Sequence, residues 1–170
     1  MAGEVKKILV ATDFSAYATR TQHAAGSLCE ESEFRITLLY VLDTSTFLFP
    51  ENRLTPNLLP ELVKVASINL KKQAKLLSNR YGIPVDFQVA CGNPAQEILK
   101  IIEHDHTDMV ITAIDENQSS ESPHKVIARR IAAKTNCPVL TLYSTRASGP
   151  FGMTNVIRKK IGLFERNSKS

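Results

Sequence analysis

Hydrophobic and polar positions along this chain follow two periods, and the switches between them mark its elements. Lys7-Ile8-Leu9-Val10-Ala11-Thr12 is a short unbroken apolar run with β-branched residues, which predicts a strand buried on both faces. Asp13-Phe14-Ser15 ends it, and Ser15 stands where a helix cap belongs. From Ala16 to Cys29, the residues Ala18, Gln22, Ala25 and Cys29 recur at helical spacing, with Ala24 and Leu28 beside them. Their small side chains suit close packing on a sheet. Arg35 to Leu42 predicts a second buried strand, and the loop after it carries Pro50, Pro56 and Pro60. That loop is long enough to serve as a lid.

Leu58 to Tyr81 is the longest helical pattern, with Leu59, Leu62, Val63, Ala66, Leu70, Ala74 and Leu77 as its apolar stripe and Gly82 as its stop. Pro84 to Val89 alternates and predicts a strand near the sheet edge. After the turn Gly92-Asn93-Pro94, a proline in the first turn opens a helix that runs through His104 and buries Ile98, Leu99, Ile101 and Ile102. Asp108 to Ala113 predicts a strand, Glu116 to Pro123 a polar loop, Lys125 to Lys134 a helix and Cys137 to Tyr143 a last strand. Strands alternating with helices imply right-handed βαβ units. The fold class is α/β, an open five-stranded parallel sheet with helices on both faces. In such a sheet ligands bind at the carboxyl ends of the strands where strand order reverses, here the loops after the first and fourth strands.

Composition adds limits. At 170 residues, 43% hydrophobic and 22% charged, the chain fits one compact domain. Its net charge of +4 is unevenly placed. From Ser144 onward six basic residues face one acidic residue, so Met1 to Tyr143 is close to neutral and the basic character belongs to the tail. That division weighs against the domain as a nucleic-acid binder. The expected organisation is therefore a domain over 1–143 and a basic extension over 144–170. Within the extension, Val156 to Phe164 interleaves apolar and basic residues in the manner of a short amphipathic helix. It would pack on its own dimer or, less favoured, touch an acidic surface such as a membrane or nucleic acid; the competing reading is a solvated, loosely ordered end.

No apolar run approaches the length of a membrane span, and the opening residues lead straight into a strand, so a cytoplasmic location is expected. Cys29, Cys91 and Cys137 lack metal or redox spacing and sit beside apolar stretches, which predicts reduced, buried thiols. His104-Asp105-His106-Thr107-Asp108 gathers histidines and carboxylates, but at the amino end of a strand, opposite the expected ligand edge, and reads as a solvated turn rather than a metal site. His23 reads as an exposed or partly packed residue of the first helix rather than a catalytic base. No nucleophile, base and acid set is evident, so the chain is not expected to be an enzyme.

Four segments together resemble the universal stress protein family. They are Lys7 to Ser15, Gly92-Asn93-Pro94-Ala95-Gln96-Glu97-Ile98-Leu99, Asp108-Met109-Val110-Ile111 and Cys137-Pro138-Val139-Leu140, in the family's order from Lys6 to Tyr143. The resemblance implies a flavodoxin-like sheet of order 3-2-1-4-5, a homodimer formed through the last strand (Pro138 to Tyr143), and in many members ATP binding. Adenine and ribose contacts would fall on Thr12, Asp13 and Val41. The family's phosphate signature of glycines followed by Ser or Thr falls on Thr112, Asp115, Lys125 and Val126, all of which depart from it. Side chains there obstruct the backbone approach that glycine allows, and Asp115 would bring a carboxylate beside phosphate oxygens. His124 and Lys125 with Ser119, Ser120 and Ser122 are a partial replacement.

Asp13 has two readings: a ligand for a ribose or other hydroxylated molecule, or a cap for the first helix. The leading functional reading is a non-enzymatic homodimer that binds a small ligand or a protein partner, an adenine ligand without a triphosphate included. A second is an ATP or AMP binder with a loop that lacks glycine, and a third an interaction module recruited through the basic tail.

Overall fold

The computed structural model describes residues 5–29, 33–45, 57–115, 119, 122–144 and 159–160. Its elements run in the order β1 (Lys6–Thr12), α1 (Ala16–Cys29), β2 (Phe34–Asp43), α2 (Leu58–Tyr81), β3 (Val85–Gly92), α3 (Pro94–Asp105), β4 (Met109–Asp115), α4 (Pro123–Lys134), β5 (Val139–Ser144) and β6 (Lys159–Lys160). The sheet order is β3-β2-β1-β4-β5-β6. The first five strands are mutually parallel, in the order 3-2-1-4-5. The two-residue β6 then pairs antiparallel with Thr141 and Leu142 of β5. This adds a strand to the expected five, and it places Lys159 and Lys160 in a strand where the tail was expected to be helical. The remainder of that expected helix, and the expected lid over 46–56, lie outside the described residues.

Both sheet faces are covered, which is why β1 needs an apolar run rather than an alternation: Ile8, Leu9 and Val10 are all buried. Ile8, Val10, Ile36, Leu38 and Ile111 pack with Ala25, Cys29, Leu70, Ala74 and Leu77 of α1 and α2. Leu9, Leu39 and Val110 pack with Ile98, Ile101, Ile102 and Ile131 of α3 and α4 on the other face. The stripe read along α1 is the buried one, Ala18, Gln22, Ala25 and Cys29, whereas Leu28 beside it is exposed.

Local chemistry sets the boundaries. Gly82 closes α2 with φ of 66°, a left-handed conformation open to glycine without strain, and its N–H donates to the Ser78 carbonyl. Pro60 sits inside the first turn of α2, where a missing N–H removes no helical bond. Asn93 caps α3, its side chain accepting from the Gln96 N–H, with Pro94 next in the helix. The strand before them runs to Gly92, past the expected end at Val89, and is the sheet edge, paired only with β2 among the described residues. Consequently Cys91, expected to be buried, is exposed. Cys29 is buried and Cys137 half-buried, and burial pushes each thiol up to about 11. Asp108 ties β4 to β1 at the amino edge, its Oδ2 accepting from the Lys7 N–H at 2.7 Å.

Candidate functional site

Strand order reverses at β1, which lies between β2 and β4. A cavity of about 280 Å³ opens at this point. Thr12 and Asp13 from the end of β1, Tyr40 and Val41 from β2, Thr112 and Ala113 from β4, Pro94 and Ile98 from α3, and His124, Ile127 and Ala128 from α4 all line it.

The turn after β1 is held by three short-range bonds. Ser15 caps α1, its Oγ accepting from the Ala18 N–H at 3.1 Å. Asp13 Oδ1 accepts from the Ser15 N–H at 2.9 Å. Thr12 Oγ1 accepts from the Phe14 N–H at 3.4 Å. Between them Phe14 adopts φ of 64°, a left-handed conformation costing a residue with a Cβ about 1–3 kcal/mol. Its ring lies 4.6 Å from that of Tyr40, which fixes the strained turn against β2.

Helix capping thus falls to Ser15, and the second oxygen of Asp13 is directed elsewhere: Oδ2 stands 3.5 Å from His124 Nε2, with both side chains about two-fifths exposed (41% and 40%). Tyr40 lies close by. Burial, then the negative charges of Asp13 and Cys91, push its phenol up from the ordinary value, so it remains a hydrogen-bond donor at neutral pH. Behind the cavity, the buried Gln22 donates through Nε2 to Thr12 Oγ1 at 3.0 Å and to Gln73 Oε1 at 2.9 Å. That chain of bonds joins α2, α1 and β1 and fixes the Thr12 hydroxyl.

Of the residues singled out from sequence, Thr12, Asp13, Val41 and Thr112 come together around the cavity. Thr112 is buried in β4 with its hydroxyl 3.4 Å from that of Thr141. Asp115 ends β4 with its backbone paired to Ser144. Lys125 and Val126 lie in the first turn of α4, which begins at Pro123, earlier than the expected start at Lys125, and neither lines the cavity. Pro123 has no N–H to offer an anion, and that of Val126 already donates to the Ser122 carbonyl at 3.1 Å. Ser122 is buried, its hydroxyl without a partner among the described residues, while Ser119 is exposed. Ser120 lies outside the described residues.

Sequence reading passed over Tyr40, Pro94, Ile98 and Ala113. Each belongs to an element that was read correctly, but only the packing of β2, β4 and α3 brings them to one place. Position at a strand's carboxyl end was the available signal for Tyr40 and Ala113.

Residues 4–142 match the model of the universal stress protein family. The chain belongs to that family. Universal stress protein MJ0531 of Methanocaldococcus jannaschii is 25% identical over 138 residues, 81% of each chain. Among solved structures, the protein MJ0577 is 25% identical with a TM-score of 0.71, the match covering 84% of this chain and 99% of that one. A universal stress protein of Archaeoglobus fulgidus, solved in complex with dAMP, has a TM-score of 0.58 at 16% identity and covers 80% of this chain and 96% of its own. Among the described residues no helix of this universal stress protein is long and apolar enough to cross a membrane.

Proposed function

We propose that this universal stress protein is a non-enzymatic binder of a small adenine ligand that carries at most one phosphate. The observation that carries the reading is the cavity lined by Thr12, Asp13, Val41 and His124, with Asp13 Oδ2 standing 3.5 Å from His124 Nε2. On the nucleoside side, Asp13 Oδ2 is an acceptor for ribose hydroxyls, Thr12 retains its own hydroxyl proton for donation, and Val41, Ala113 and Ile127 offer apolar walls to a base. On the phosphate side, Thr112, Lys125 and Val126 give no flexible cradle. Within that reading one phosphate can meet His124, whereas three would extend over a helix start that lacks the Pro123 N–H.

The reading draws support from the Archaeoglobus relative, whose ligand is a nucleoside monophosphate. It includes a homodimer formed along Pro138 to Tyr143, an edge of which β6 pairs with Thr141 and Leu142 among the described residues. No catalytic step is assigned, and signalling would follow from occupancy.

A thermal-shift titration with AMP, cyclic AMP, adenosine and ATP tests it. Ligand at 100 times its dissociation constant adds about 2.7 kcal/mol, so AMP is expected to raise Tm clearly. A chain that no adenine compound stabilises would refute the reading. Sedimentation equilibrium checks the dimer, which has twice the chain's 18.8 kDa.

A further inference from the structure

One face of α2 is committed to the core through Ala66, Leu70, Ala74 and Leu77, yet the opposite face is far from uniformly polar. Val65 is 54% exposed, Ile68 and Leu76 are 60% exposed each, and Leu58 is 40% exposed. Helical geometry puts Leu58, Val65 and Leu76 along one line, and Lys64, Lys71 and Lys75 along another about 110° around the axis, with Glu61, Ile68, Lys72 and Asn79 between. All four lysines are exposed, and no ion pair joins them among the described residues. Counting Arg80 against Glu61, the helix is strongly cationic.

Charge decides what can cover this face. A second copy would set one cationic helix on another, and the chain's own tail carries the same sign, so both are repelled. The occupant must be anionic. A helix from a partner protein would use the seam of alternating four and three spacings, Leu58, Leu62, Val65, Asn69, Lys72 and Leu76. That seam would put Asn69 and Lys72 in its dry centre, where the Lys72 charge is desolvated even when an acidic partner faces it. A lipid–water interface has no such conflict, because lysine stems lie along apolar surface while their ammonium groups reach the headgroups. We propose that the outer face of α2 is a peripheral docking surface for anionic lipid membranes, with Val65, Ile68 and Leu76 entering the acyl boundary and Lys64, Lys71, Lys72 and Lys75 meeting the headgroups. The surface is separate from the ligand cavity and does not depend on what that cavity binds.

The test uses the full chain and vesicles of phosphatidylcholine, alone or with about 30% phosphatidylserine. The chain should sediment with the anionic vesicles and not with the neutral ones, and added salt should release it. Combining Val65→Ser, Ile68→Ser and Leu76→Ser, all at exposed positions, should weaken binding at least about tenfold while the basic tail stays intact. Because the chain contains no tryptophan, Ile68→Trp supplies a single reporter, whose emission should shift to the blue on anionic vesicles. Binding unchanged in the triple variant would assign attachment to the tail and overturn the proposal. So would an unshifted emission, or a response to a soluble acidic Glu/Leu heptad peptide in place of vesicles, which would give the face to a protein partner.

Discussion

Asp13 Oδ2 and His124 Nε2 face each other at 3.5 Å across the reversal point of the sheet, one from the end of β1 and the other from the first turn of α4. Both residues line the cavity. Asp13→Ala removes the proposed ribose acceptor and should weaken AMP binding at least about tenfold, equal to about 1.4 kcal/mol. Stability should fall by only about 1 kcal/mol, the net value of its bond to the Ser15 N–H. Calorimetric titration and urea denaturation of one preparation separate the two effects.

Gln22 is buried among apolar neighbours and links Thr12 to Gln73. Gln22→Ala leaves both partners without that donor and opens space in the core. It should destabilise the fold by about 2–4 kcal/mol. Because Thr12 lines the cavity, AMP affinity should fall as well, although Gln22 does not line it. Urea midpoints and titrations of the variant measure both.

Gly26 lies on α1 where an added Cβ would stand 2.4 Å from a Tyr81 ring carbon and 2.9 Å from Cγ, near the base of that side chain. Alanine would gain about 1 kcal/mol of helix propensity, but overpacking against the ring costs about 1–3 kcal/mol. The ring cannot retreat freely, since its hydroxyl lies 3.3 Å from His23 Nδ1. Gly26→Ala should therefore lower stability, and adding Tyr81→Ala should remove the penalty of the alanine in a double-mutant cycle. An additive cycle would contradict the contact.

Burial, and then the charge of Arg80, hold His23 below its usual value of 6.5. An unfolded chain therefore takes up this proton at higher pH than the folded one does. The contribution to stability is intact above about pH 6.5 and is lost as pH falls from there toward the lowered folded value. Between about pH 7.5 and 5.5, Tm should fall less for His23→Asn than for the unaltered chain. Equal slopes would place the lost stability in other groups.

The fold was legible wherever its signals were local. Ser15, Gly82, Asn93 and Pro94 end or start elements through their own hydrogen bonds or backbone preferences, so the bounds of α1 and α2 could be read directly. The start of α4 was misplaced because Pro123 read as the end of a loop, although a first helical turn tolerates it. Cys91 was misread because its apolar neighbours indicate a strand but not that the strand is an edge. Part of the cavity was legible by another route: Thr12, Asp13, Val41 and Thr112 are positions that the family resemblance implies, and all four line it. The role of Tyr40 and the Asp13–His124 contact arise from the packing of segments distant in sequence, and no local period encodes that. The pairing of β6 with β5 is likewise a long-range event between short segments.

The most direct test of the central claim is the ratio of ATP to AMP affinity, measured by calorimetric titration of the full chain with magnesium present. AMP should bind and ATP should bind no more tightly, since the β and γ phosphates find no cradle. An affinity for ATP about tenfold or more above that for AMP, worth about 1.4 kcal/mol or more for the added phosphates, would contradict the account.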